Sequence, residues 1–131
     1  MSKRNSAMNG NSYLLDTNAV IGLLKGNDFL ENTLENADWV GISVISIIEF
    51  FSFSQLSNND KILFRTFLDR VEIINMPAEP RLLEVIGSFK IVNGLKLPDA
   101  VIAACADEKK LVLVTNDADF KKVKDLKLLT F

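Results

Sequence analysis

The sequence predicts an α/β fold, a parallel sheet with helices on both faces. Three observations predict it. Short apolar runs such as WVGIS and LVLV alternate with longer stretches of helical periodicity. The runs end abruptly on polar corners, as in YLLDTNAVIGLLK, where a strand stops on Asp16 and an apolar helix begins at once. Strands separated by helices of this length form parallel sheets covered on both sides. Finally, 131 residues of which 48% are hydrophobic suffice for one domain around a sizeable core.

Taken in order, 1–11 (MSKRNSAMNGN) is polar, small and without periodicity, and reads as a flexible tail before a single domain over 12–131. A strand is expected over 13–16, then helices over 18–25 and 28–36. A strand over 39–44 leads into a helix over 46–56. The turn SNND precedes an amphipathic helix through Arg70, with Ile62, Leu63, Phe64, Phe67 and Leu68 on its apolar side. A strand over 71–75 follows, then a helix over 78–93 ended by Gly94. Pro98 opens a helix over 98–110. A buried strand over 111–115, a short helix over 118–123 and a strand over 127–131 complete the chain.

Composition removes several chemistries. The chain has no histidine, which excludes Ser-His-Asp and Cys-His catalysis and His-ligated zinc. Its one cysteine, Cys105, excludes an internal disulfide, and its setting in AVIAACA reads as a buried, inert thiol. No apolar run approaches the ~20 residues that span a bilayer, and no signal-peptide pattern is visible, so a soluble, cytoplasmic protein is expected. A net charge of −2 offers no global attraction to nucleic acid. Nucleic-acid binding would need a local basic patch or bound cations.

Ligands of parallel sheets gather outside the carboxyl ends of the strands, so that edge is searched for acids. Asp16 ends the first strand, and Glu49 sits one turn into the helix after the second. Asp99 opens the helix KLPDAVIAACA that feeds the fourth strand, and Asp117 follows that strand in LVLVTNDADF. Each acid alone has an ordinary explanation. Asp16 and Asp117 can cap helices, Ser46-x-x-Glu49 fits a capping box, and Asp99 suits a first helical turn. Their neighbours favour more than capping. Glu49 lies among Ile47, Ile48, Phe50 and Phe51, and Asp99 among Leu95, Leu97, Ala100 and Val101, where an unpaired carboxylate is costly. Asp16, Glu49 and Asp117 have no Lys or Arg beside them, although Lys96 is near Asp99. A divalent cation resolves this, and an all-oxygen site suits Mg²⁺ or Mn²⁺. From the residues alone, the expected activity is metal-dependent phosphodiester hydrolysis.

The motifs YLLDTNAVI, ISVISIIEF, LPDAVIAACA and LVLVTNDADF, in this order and spacing, resemble the PIN-domain family, specifically VapC-like toxins of prokaryotic toxin–antitoxin pairs. The resemblance runs from Tyr13 to Phe131. It implies a three-layer α/β/α fold with a central parallel sheet of about five strands, and a Mg²⁺- or Mn²⁺-dependent ribonuclease. Asp16, Glu49, Asp99 and Asp117 match the family's acidic quartet. Asp16 and Asp99 would be the nearest metal ligands, with Glu49 and Asp117 acting through water or orienting the nucleophile. Thr17, Asn18 and Thr115 match supporting polar positions. The resemblance also implies an RNA substrate, a homodimer and a cognate antitoxin, through which alone DNA would be bound. Two departures stand out. The glycine common after the second acid is replaced by FFSFSQL, and Asn116 stands where a basic residue is frequent. Lys25, Lys96, Lys121, Lys122 and Lys124 remain as basic candidates for RNA contacts.

Two other readings stay open at this point: a PIN-like scaffold that binds without cleaving, and a receiver-type phosphoacceptor. The second wants paired acids after the first strand, whereas LLDTN offers one. Two finer expectations follow from the sequence. If 118–123 is helical, Asp119 points about 200° from Asp117, which leaves Asp117 as fourth acid and Asp119 as the fallback. The stretch 47–53 places apolar groups nearly all round its helix, which leaves a surplus for a partner helix.

Overall fold

The computed structural model describes residues 11–131. The tail expected over 1–11 lies outside the described residues except for Asn11, whose carbonyl accepts from the backbone N–H groups of Asp38 (3.0 Å) and Trp39 (3.4 Å). The elements are β1 (Ser12–Leu15), α1 (Thr17–Leu24), α2 (Asp28–Glu35), β2 (Trp39–Ser43), α3 (Val44–Phe51) and α4 (Asn58–Leu68). They continue as β3 (Glu72–Ile74), α5 (Pro80–Asn93), α6 (Leu97–Lys109), β4 (Val112–Val114), a 3-10 helix (Ala118–Lys122) and β5 (Leu128–Leu129).

The five strands pair in parallel in the order β3-β2-β1-β4-β5. The chain thus winds outward from β1 through β2 to β3, then returns through α5 and α6 to place β4 on the other side of β1. The β1–β4 junction is therefore a topological switch point, where the loops at the strand ends part and leave a crevice.

Alternation along the strands splits the core in two. Leu14, Trp39 and Leu113 face α5 and α6, while Leu15, Val40, Ile42 and Val114 face α1 to α4. This is the expected three-layer α/β/α architecture. The α6 run from Ala100 to Ala106 is buried throughout, and its small side chains let the helix lie between the sheet and α5. Gly94 ends α5 in the left-handed region, at φ +67°. Cys105 is buried, and burial pushes its thiol pKa up, as expected of an inert thiol.

Several local expectations are corrected. The helix expected over 46–56 begins at Val44 and ends at Phe51, and its N-cap is Ser43, whose side chain accepts from the Ile45 N–H at 3.1 Å. Ser46 is therefore inside the helix and makes no capping box with Glu49. The capping box forms instead between Ser57 and Asp60 at the start of α4. On α4, Phe64 and Phe67 enter the core, whereas Ile62 and Leu63 face solvent. Phe64 stacks on Phe50 with ring centroids 3.9 Å apart, which turns α4 so that its preceding residues point outward. The 118–123 segment is a 3-10 helix, too short and tightly wound for an α-helical face. The last strand is limited to Leu128 and Leu129, which pair with Leu113 and Val114 of β4.

Candidate metal centre

All four acids predicted from the sequence surround one cavity at the switch point. It holds about 230 Å³ and is lined by Asp16, Glu49, Asp99 and Asp117, together with Thr17, Asn18, Ile21 and Phe53. Four separate segments deliver these carboxylates. Asp16 leaves β1 and caps α1, its Oδ1 accepting the Thr17 N–H at 2.9 Å. Glu49 projects from α3, Asp99 from the first turn of α6, and Asp117 from the N-cap of the 3-10 helix.

Hydroxyl and amide groups fix the carboxylates. Thr115, at the end of β4, donates its hydroxyl to Asp16 Oδ2 at 2.8 Å and accepts the Asp117 N–H at 3.0 Å. The Thr17 hydroxyl reaches Glu49 Oε1 at 3.1 Å and the Ser46 carbonyl at 3.5 Å. Asn18 Nδ2 lies 3.4 Å from both Asp16 Oδ2 and Thr115 Oγ1. Thr17, Asn18 and Thr115, expected as supporting positions, thus each place a side chain within hydrogen-bond distance of a carboxylate: Thr17 at Glu49, and Asn18 and Thr115 at Asp16. Ser46, expected as a cap, is fully buried with its hydroxyl unpartnered.

The electrostatics are those of like charges held together. Burial, then repulsion from Asp117, Asp16, Glu49 and Asp119, pushes Asp99 up to about 6. Burial also raises Asp16, opposed by the Thr115 hydroxyl and the Thr17 N–H, while Glu49 and Asp117 add repulsion. Among the described residues, no Lys or Arg forms an ion pair with Asp16, Glu49, Asp99 or Asp117. An uncompensated, oxygen-only donor set of this kind fits a hard divalent cation.

Asp119 corrects the angular argument made from the sequence. Carboxylate oxygens of Asp99, Asp117 and Asp119 lie within 4.8 Å of one another. Asp117 is the cap and stands outside the 3-10 helix, so the rotation of an α-helix does not separate the two side chains. Its Oδ1 accepts the Asp119 N–H at 2.9 Å, which draws them together. Asp119 is nevertheless half exposed and pairs with Lys122 Nζ at 3.4 Å.

The cavity wall also includes Ile21 and Phe53, which no acid pattern could single out. Ile21 is one turn beyond Thr17 on α1, and this spacing alone could have pointed to it. Phe53 lies past the end of α3 and depends on where that helix stops.

The sequence matches the PIN domain family over residues 13–126. The chain belongs to the PIN domain family. Membership sets aside the receiver-type phosphoacceptor reading. This PIN domain is similar to a chain of VapBC2 from Rickettsia felis, solved bound to a promoter DNA fragment: 26% identity and a TM-score of 0.77, covering 91% of this chain and 98% of the other. It is also similar to a chain of a toxin–antitoxin complex from Klebsiella pneumoniae, with 29% identity and a TM-score of 0.73, covering 91% and 97%. DNA-bound VapBC from Salmonella typhimurium shares the fold, with a TM-score of 0.75 at 21% identity over 91% and 97% of the chains. A search of curated proteins finds no match. No helix among the described residues is long and apolar enough to cross a membrane.

Proposed function

We propose that this PIN domain is a Mg²⁺- or Mn²⁺-dependent endoribonuclease and the toxin of a VapBC-type pair. One observation carries the reading: four carboxylates from four segments line one cavity, with no ion-paired cation among the described residues. Asp16 and Asp99 would hold the cation directly, and Glu49 and Asp117 through water. A bound divalent cation supplies Lewis acidity, neutralising phosphate charge and favouring ionisation of water. The protein's part is placement. Thr115 and Asn18 hold Asp16, while Thr17 fixes Glu49 where it can orient an attacking water and take its proton. The likeness to chains of toxin–antitoxin complexes supports a cognate antitoxin as partner, with DNA contacted only through it. A homodimer acting in the cytoplasm completes the proposal.

The test is cleavage of a synthetic RNA with Mg²⁺, with Mn²⁺ and in excess EDTA. Asp16→Asn, Glu49→Gln and Asp99→Asn should each slow cleavage by about 100-fold or more, because an amide keeps the shape without the charge. Full activity in EDTA, or in the Asp16→Asn protein, would sink the mechanism. RNA binding without cleavage under all conditions would favour the non-catalytic scaffold.

A further inference from the structure

Beyond Leu15 and Val114 the β1–β4 ladder gives out, with a last backbone bond from the Asp16 N–H to the Val114 carbonyl at 3.1 Å. From there, side chains must hold the segment bearing Asp16 against the turn bearing Asp117. Two residues outside the acid set are placed to do this. Asn116 donates its backbone N–H to Asn18 Oδ1 at 3.1 Å, and its own Oδ1 accepts the Phe131 N–H at 2.8 Å. Phe131 then turns its ring back onto α1. A Cβ added at Gly22, four residues beyond Asn18, would lie 3.1 Å from ring atom Cε2 and 3.1 Å from Leu30 Cδ1. The ring therefore rests close against Gly22, where an added Cβ would make it give by a few tenths of an ångström, at the margin of the core that holds Leu15, Ala19 and Val20.

We infer that Asn116 and Phe131 form a clasp, a pair of positioning residues that fixes α1 and the 115–117 turn relative to each other and so places Asp117 opposite Asp16. Its catalytic consequence rests on the metal-dependent nuclease reading above. The residue type matters. An amide oxygen accepts the Phe131 N–H, whereas a lysine or arginine side chain at 116 would offer only donors. Because small displacements of a catalytic group are expensive, loosening it should slow the chemistry more than it weakens substrate binding.

The experiment uses the full chain with Asn116→Leu, Phe131→Ala, their double mutant and Phe131→Leu, each checked by thermal melting. Metal-free amide hydrogen exchange, read by mass spectrometry over 115–119, should quicken about three-fold or more in Asn116→Leu and Phe131→Ala. With Mn²⁺ and RNA, kcat should fall about five-fold in each while KM stays within about two-fold. The double mutant should be little worse than the weaker single mutant, since both remove one clasp. Phe131→Leu, which like Phe131→Ala keeps the backbone N–H but restores an apolar body, should recover most of the loss. Unchanged exchange in both single variants overturns the clasp. Faster exchange with unaltered kcat overturns its positioning role. If the parent protein cleaves no RNA, the nuclease reading falls, while the exchange measurement still decides whether the clasp exists.

Discussion

Thr115 donates its hydroxyl to Asp16 Oδ2 at 2.8 Å, joining residues 99 positions apart in the chain. Thr115 Oγ1 also accepts the Asp117 N–H at 3.0 Å, so one hydroxyl couples two of the four acids. The bond also opposes the rise that burial imposes on Asp16. Thr115→Val keeps the β-branched shape and removes both interactions. Calorimetric titration should show Mn²⁺ affinity falling by about ten-fold to one-hundred-fold, the weight of one hydrogen bond to a charged group. An unchanged affinity would mean that Asp16 does not depend on this support.

The raised Asp99 gives a pH dependence whose sign is determined. Its pKa is about 6 in the folded chain against an ordinary value of 3.8, so the folded state keeps its proton longer than the unfolded state. Metal-free stability should therefore be highest below about pH 4 with respect to this group and be lost as pH rises through 6. Asp99→Asn should raise the metal-free melting temperature at pH 8 by about 3 °C, or about 1 kcal/mol once solvent screening of a partly exposed group is allowed for. The gain should vanish at pH 4. A destabilised Asp99→Asn protein at pH 8 would contradict the repulsion.

Asp117 and Asp119 can be ranked by rate. Asp117 lines the cavity with Asp16, Glu49 and Asp99, whereas Asp119 is absent from that lining and is engaged by Lys122. In parallel RNA-cleavage assays, Asp117→Asn should lose about ten-fold more activity than Asp119→Asn. A reversed order in two folded proteins would transfer the fourth position to Asp119.

The apolar surplus on 47–53 has a definite location. Ile48 is 57% exposed and Phe53 44%, and a groove of about 250 Å³ runs beside Phe53 between Ile21, Leu24, Phe50, Leu56 and Leu63. Ile21 and Phe53 also border the acid cavity, so a helix seated in the groove would lie next to it. Phe53→Asp should weaken binding of the cognate antitoxin by about ten-fold or more in a titration, with the melting temperature nearly unchanged. Undiminished binding would place the antitoxin on another face.

Much of this was legible in one dimension. The alternation of short apolar runs with helical periods determined the parallel three-layer fold, because only crossover helices connect parallel strands. Acids that follow strand ends could be placed at one edge from topology alone, which is why Asp16, Glu49 and Asp117 could be named, with Asp99 added from the helix that feeds the fourth strand. Asp99 is the hardest of these to place, since it precedes its strand by a whole helix and reaches the edge only because α6 runs back across the sheet.

Tertiary packing decided the rest. Ser46 and Glu49 satisfy the capping-box pattern, yet the helix starts at Val44 because Ser43, at the end of β2, already caps it. Ile62 and Leu63 fit a helical stripe, but the stacking of Phe64 on Phe50 decides which side of α4 is buried. Asp119 came within reach of Asp117 because Asp117 caps the 3-10 helix from outside it and accepts the Asp119 N–H, so the rotation of an α-helix does not separate the two. The contacts of Asn116 with Asn18 and Phe131 join segments 98 and 15 residues apart, a proximity that local sequence patterns do not encode. Propensity and periodicity act over a few residues. Which helix start prevails, which face turns inward and which polar groups meet are settled only when distant segments compete for the same space.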